Sequence, residues 1–158
     1  MVALTSPATW RGDELIDVSG APLATYSAPD NALDLTGTTT GATPITVAHT
    51  AGAMRWEVSG TTTAGETWTV RTHGFGVRVL TARCGSRTYR LERAGYMTKK
   101  RTVTDLATGA IIAETSPRGL HNLAVTPTAA AFAAPLADIA FMSWALTLID
   151  TPARQTLR

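Results

Sequence analysis

Apolar positions along this chain follow two periods, alternating between about residue 14 and residue 127 and then becoming almost continuous from 136 to 150. The second pattern is the rarer. In PLADIAFMSWALTLID (135–150), Leu136, Ile139, Met142, Leu146 and Ile149 share one side of a helix, while Phe141, Trp144, Ala145 and Leu148 cover most of the remainder. A helix apolar nearly all round must be enclosed by protein or lipid. Pro135 suits a first helical position, Asp138 lies in the first turn where the helix dipole favours an acid, and Thr151-Pro152 stops the helix. About fifteen residues at 1.5 Å each give roughly 22 Å, against roughly 30 Å for a hydrocarbon core. A longer window over 129–149 holds 21 mostly apolar residues but includes Pro135 and Asp138. An Asp near a membrane centre costs about 2.5–3.5 kcal/mol, so the expectation is a buried core helix over 136–150.

The alternating region reads as strands. ELIDVS (14–19) and PLATYS (22–27) flank Gly20-Ala21, NALDLTG (31–37) precedes a Thr/Gly loop, and ITVAHT (45–50) leads through Ala51-Gly52-Ala53 to MRWEVSG (54–60). In that last run Met54, Trp56 and Val58 alternate with Arg55, Glu57 and Ser59, the period of two of a strand with one buried face. ETWTVRT (66–72), VRVLTAR (77–83), RTYRLER (87–93), YMTKKRTVTD (96–105), AIIAETS (110–116) and NLAVTP (122–127) continue the series, and residues before 14 read as a short polar lead. Turn signals recur about every ten residues, which indicates antiparallel all-β structure.

Strand number and helix character combine. Barrels of about eight strands fill their interior with side chains, and wider ones leave a lumen that something must occupy. A helix about 10 Å across and apolar on every side is a suitable occupant. The expected fold is mainly β, a closed antiparallel barrel of about 11–12 strands enclosing one hydrophobic C-terminal helix (136–150) in a single domain over 1–158. A sandwich with the helix over one open end is the alternative.

Composition adds location and charge. The single cysteine, Cys84, excludes an intrachain disulfide, and the opening MVALTSPATWRGDELID lacks a secretory pattern. The cytoplasm, or the cytosolic face of a membrane, is the expected location. The net charge of +2 hides an asymmetry. Residues 1–70 carry two basic and seven acidic side chains, whereas residues 71–101 carry nine basic ones and a single acid, Glu92.

The closing segment TAAAFAAPLADIAFMSWALTLID (128–150), the run SRTYRLERAGYMTKKRTVTDLATGAIIAETS (86–116) and the strands bearing Trp56 and Trp68 resemble the tubby C-terminal-like superfamily. That superfamily includes LURP-one-related proteins and phospholipid scramblases. The resemblance implies a twelve-stranded barrel around a hydrophobic helix, with Asp150 matching the family's final Asp. It further implies no catalytic residue, since tubby-type members bind phosphoinositides through basic barrel surfaces and scramblase-type members associate with membranes. No binding residue carries over individually.

The candidate site is the basic segment itself. If 87–93 and 97–104 pair, Arg87, Arg90, Arg93, Lys99, Lys100 and Arg101 lie close together, with Arg78 and Arg83 on the preceding strand. Such a cluster makes a field for phosphate-bearing partners, and each cation near an anionic membrane contributes about 1 kcal/mol. The expected function is non-enzymatic binding of anionic phospholipid or another phosphorylated ligand, without cofactor or metal. The alternative is a structural or protein-interaction module whose cations merely solvate strands. Nucleic acid is disfavoured because no recognition helix or aromatic interleaving is evident. His49, His73 and His121 have no ligand spacing. Cys84 beside Arg83 is a weak nucleophile candidate, and HGFG (73–76) without GxSxG reads as a turn. Asp138 is expected at a helix end, meeting backbone donors or an arginine.

Overall fold

A computed structural model of the chain describes residues 2–36, 43–51, 55–131 and 134–151. The Thr/Gly stretch at 37–42, Met54, the turn at 52–53 and Pro152 lie outside the described residues. Alternation turns the apolar side chains of the strands inward. The elements are β1 (Ala8–Arg11), β2 (Glu14–Asp17), β3 (Pro22–Ser27), β4 (Ala32–Leu35), β5 (Ile45–Ala51) and β6 (Trp56–Thr61), then β7 (Thr67–Thr72), β8 (Val79–Cys84), β9 (Arg87–Arg93), β10 (Arg101–Asp105), β11 (Ile111–Arg118) and β12 (Asn122–Pro127). Each strand pairs antiparallel with its sequence neighbour, and β1 pairs with both β2 and β12, so the sheet closes into a twelve-stranded barrel.

The expected barrel is therefore the observed one, with one correction. The polar lead contains a strand, β1, whose Ala8 and Trp10 face inward between Thr9 and Arg11. It is short, but its register with Leu123–Val125 closes the ring (Trp10 opposite Leu123, Ala8 opposite Val125). Outward positions on the strands are mainly Thr, Ser, Arg and Glu. This is the inverse of a transmembrane barrel, whose apolar side chains face out.

The lumen holds α1 (Leu136–Asp150), and all fifteen of its residues are buried. Pro135 is the residue before the first helical one rather than the first itself, and Thr151 is extended, as a residue before proline should be. Residues 128–131 form a turn that does not extend the helix, and no helix among the described residues is long and apolar enough to cross a membrane. Aromatic contacts fit the helix to the wall. Trp144 lies 4.6 Å from Tyr26, Phe141 meets Trp68 edge-on at 5.7 Å, and Trp10 Nε1 donates to Ser143 Oγ at 2.8 Å. Ser143 Oγ in turn donates to Ile139 O, so the one hydroxyl in the middle of the helix is satisfied twice.

Gly60 on β6 shows how closely helix and wall approach. A Cβ there would stand 2.6 Å from Ile45 Cγ2 and 2.9 Å from Phe141 Cε1. Between α1 and β10–β12 a void of about 10 Å³ remains, the size of about one water. The helix thus fills the space that a ligand-carrying barrel would leave open. Gly60→Ala is expected to destabilise the fold by about 1–3 kcal/mol through overpacking, read from the midpoint of urea unfolding. An unchanged midpoint would mean that Phe141 does not press on β6.

Candidate functional site

Strand β9 divides the basic segment into two groups. With Tyr89 and Leu91 inward, the period of two places Arg87 and Arg93 on the inner side and Arg90 on the outer. The pairing of β9 with β10 puts Arg101 opposite Arg93, so Arg101 also points inward, while Thr104 lies opposite Arg90. The hairpin predicted from the sequence exists. Its cations nevertheless do not form one surface.

The inward cations meet the two acids of α1. Arg101 and Asp150 are both fully buried, with Nε 2.6 Å and Nη2 3.1 Å from the carboxylate oxygens. The remaining donors of Arg101 reach backbone carbonyls of Arg78 (3.1 Å), Leu91 (3.3 Å) and Val77 (2.7 Å). All five guanidinium N–H groups are thereby used, which is what a buried arginine requires. Arg93 Nη2 adds a 3.0 Å contact to Asp150. At the other end of the helix, Asp138 accepts two bonds from Arg87, at 2.6 and 3.0 Å, and one from the Tyr89 hydroxyl. The expected partner of Asp138 is thus an arginine. Arg101 is corrected from a surface ligand residue to a core residue, and Arg87 and Arg93 are engaged with the helix.

Local electrostatics follow burial. Burial raises the Asp138 carboxyl, against the pull of Arg87 and Tyr89, and its bond to Asp138 raises Arg87. Burial, then the Asp138 bond, push the Tyr89 phenol up. Burial first, and the Asp138 charge second, push the Cys84 thiol well up. That is the reverse of an activated nucleophile. His73 is exposed at the start of the loop after β7, its Nδ1 3.4 Å from the Thr81 hydroxyl. HGFG is a loop turn, with Gly74 and Gly76 both left-handed (φ 82° and 76°). Among the described residues no group of His, Cys, Asp and Glu is arranged to hold a metal ion.

Three predicted residues point outward, namely Arg90, Lys99 and Lys100, with Lys99 only partly exposed, while Arg87 is partly exposed as well but bonded to Asp138. The register adds two that the prediction left out or placed only nearby. Arg71 and Arg90 both lie opposite Thr81, one on each side, and Arg83 lies one inter-residue pair further along β8. Arg71, Arg83 and Arg90 therefore form an outward triangle with sides of roughly 7–10 Å. Arg78 and Lys100 have acidic neighbours, Glu92 and Glu114, each at 3.8 Å and well exposed. Such contacts are weak, so this side stays positive. An open groove over β1–β2, about 460 Å³ and lined by Thr9, Arg11, Ile16 and Asp17 among others, carries one cation and one anion and no convergent polar set.

The chain matches no protein-family model, no curated protein and no solved structure.

Two outcomes follow from the buried charges. Asp150→Ala strands Arg101 in the core and should cost about 3–5 kcal/mol, whereas Asp138→Asn should cost less, because Arg87 is 40% exposed and can turn to solvent; equal losses in urea unfolding would refute the distinction. Cys84 and Tyr89 are held protonated in the fold, so above their ordinary values of 9.0 and 10.0 the unfolded chain releases protons that the barrel keeps. Stability should therefore fall as pH rises beyond about 9, at up to about 1.4 kcal/mol per pH unit for each group. Cys84→Ala and Tyr89→Phe should each flatten that alkaline limb, as followed by thermal unfolding between pH 8 and 11.

Proposed function

We propose that this protein is a non-enzymatic binding module of tubby-like type, which engages the anionic phospholipid surface of a membrane from the cytoplasmic side through the outer face of β7–β10. The observation that carries the reading is the set of outward cations on three successive strands, β7–β9, and the loops that follow β7 and β9: Arg71, Arg78, Arg83, Arg90, Lys99 and Lys100. Opposing charge on or beside this face comes from Glu57, which lies opposite Arg71, and from Glu92 and Glu114, all partly exposed. Cations so placed on a protein of otherwise low charge attract headgroup phosphates over about a Debye length. A closed barrel around a hydrophobic helix also agrees with what the resemblance implies.

The chemistry favours charge-driven binding over a shaped pocket. Arginines on a strand face present forks suited to phosphate oxygens, and neighbouring Thr69, Thr81 and Thr88 add hydroxyls on the same outer side. Co-sedimentation with vesicles of phosphatidylcholine alone or with added phosphatidylserine tests the reading. Binding is expected only to the anionic vesicles, weakened by salt and reduced at least tenfold in Arg83→Glu/Arg90→Glu and in Lys99→Glu/Lys100→Glu, since each cation contributes about 1 kcal/mol. Protein that stays in the supernatant with anionic vesicles at low salt would sink the reading.

A further inference from the structure

In an up-and-down barrel alternate loops emerge at the same end. The loops after β7, β9 and β11 are therefore neighbours on one rim, at the end where the helix finishes with Asp150. Two of their tips carry the three most exposed large apolar side chains of the described residues, Met97 (100%), Tyr96 (88%) and Phe75 (82%), and the third tip carries Leu120 (63%). The opposite end carries Val18 (74%) and the less exposed Ile111 (46%) and Leu106 (40%).

Side chains this exposed contribute little to the core. Phe75 stands between the left-handed Gly74 and Gly76, at which an added Cβ would meet nothing within 4 Å. The first two tips are joined, since the Arg78 guanidinium lies 4.7 Å over the Tyr96 ring. The first tip is also held from below by Arg101, through the carbonyls of Val77 and Arg78. The hairpin after β9 closes with Ala94 N donating to Lys100 O, leaving Tyr96 and Met97 at its apex. Cations flank the apolar tips, with Arg78, Lys100 and Arg118 exposed and Lys99 partly so. The other half of the same rim, at the ends of β1, β3 and β5, carries Asp13, Glu14 and Asp30 against Arg11 and Arg55, so it lacks the cation excess of the first half.

We infer that this half of the rim is the membrane-docking edge: Phe75, Tyr96, Met97 and Leu120 enter the headgroup–acyl boundary of an anionic bilayer while Arg78, Lys99, Lys100 and Arg118 contact headgroup phosphates. The inference rests on the anionic-membrane reading above and adds insertion and orientation to it. Aromatic rings flanked by cations suit the interface, where apolar bodies leave water and charged ends stay wet. A purely charge-driven surface would have no use for four exposed apolar side chains on three tips, and an exposed apolar patch with a polar rim marks a contact with a protein or a membrane, which a cationic rim directs to an anionic one. The other half of the rim, where cations do not outnumber acids, offers the same bilayer no net attraction. The barrel consequently docks tilted, with β7–β12 toward the membrane, which also brings Arg71 and Arg90 closer to the headgroups. The three tips span roughly 20 Å at about 4.8 Å per strand.

Cys84, the native thiol, is buried, so a single introduced cysteine can be labelled selectively. Met97→Cys carrying an environment-sensitive dye is expected to show blue-shifted emission and protection from an aqueous quencher on vesicles with phosphatidylserine, whereas Ser86→Cys, at the opposite end, shows neither. Phe75→Ser/Met97→Ser should bind these vesicles at least tenfold more weakly with an unchanged melting temperature, because neither side chain packs in the core. If both labelled proteins sediment with anionic vesicles but the dye at 97 stays in water, and Phe75→Ser/Met97→Ser binds like the parent, insertion is wrong and charge-driven binding stands. If neither sediments, both readings fall. A blue shift at 97 that grows with protein concentration in the absence of vesicles would show association between copies of the chain and overturn the membrane assignment.

Discussion

The contact between Arg101 and Asp150 is the constraint on which the rest of the structure depends. A guanidinium and a carboxylate, each without solvent, are tolerable in a barrel interior only if every hydrogen-bonding site is matched. Here the carboxylate takes two of the five N–H groups and the carbonyls of Val77, Arg78 and Leu91 take the other three. One side chain thereby ties the end of α1 to the loop after β7, to β9 and to β10. Hydrophobic burial drives the helix into the lumen but is non-directional. The charged contacts determine how far in it goes and which way round.

Spacing makes that determination twofold. Arg87 and Arg93 are six residues apart on β9, or about 20 Å at 3.4 Å per residue, and Asp138 and Asp150 are twelve apart on α1, or about 18 Å at 1.5 Å per residue. The N-terminal ends of both elements meet through Arg87 and Asp138, and the C-terminal ends through Arg93 and Asp150. Strand and helix thus run parallel with matched lengths, and a shift of the helix by one turn would leave at least one buried acid without its cation. The helix dipole adds to the N-terminal contact, where an acid is favoured, and opposes Asp150 at the C-terminal end, where two arginines outweigh it. Phe141 against Gly60 and Trp144 against Tyr26 fix the rotation that these end contacts leave open.

Much of this was legible in the residues. Alternation located eleven of the twelve strands, because a one-sided buried strand must alternate, and it located the helix to the residue because continuous apolarity there has no strand explanation. β1 was missed because four residues carry too little periodicity, although Trp10 two residues after Ala8 was a usable signal. The basic cluster was misjudged for a different reason. The same alternation that places Tyr89 and Leu91 inward places Arg87 and Arg93 beside them, and Arg101 two residues before Val103 obeys it too. Two acids in an otherwise apolar helix require cationic partners, so the sequence held both halves of each pair. Charge counted along the chain, without regard to strand face, merged them with the outward cations. The triangle of Arg71, Arg83 and Arg90 was hidden because it needs three strand registers, which alternation alone does not provide.

The division of cations between inside and outside also governs how function can be separated from fold. Arg87, Arg93 and Arg101 are bonded to the acids of the helix, so reversing any of their charges would reduce every activity of the protein by weakening the barrel. Arg71, Arg83, Arg90, Lys99 and Lys100 point away from the helix, and the acid near Lys100, Glu114, is itself well exposed, so their charges can be reversed without unpairing a buried acid. The two groups are nonetheless linked mechanically. The rim loop bearing Phe75 and Arg78 hangs from Arg101, and Arg101 from the end of the helix, so a fully seated helix is what holds the basic, apolar-tipped rim in one shape. A loop so anchored loses little further freedom on meeting a flat partner, which lowers the ordering cost of binding. The buried charges that stabilise this fold are thus also the ones that preorganise its exposed edge.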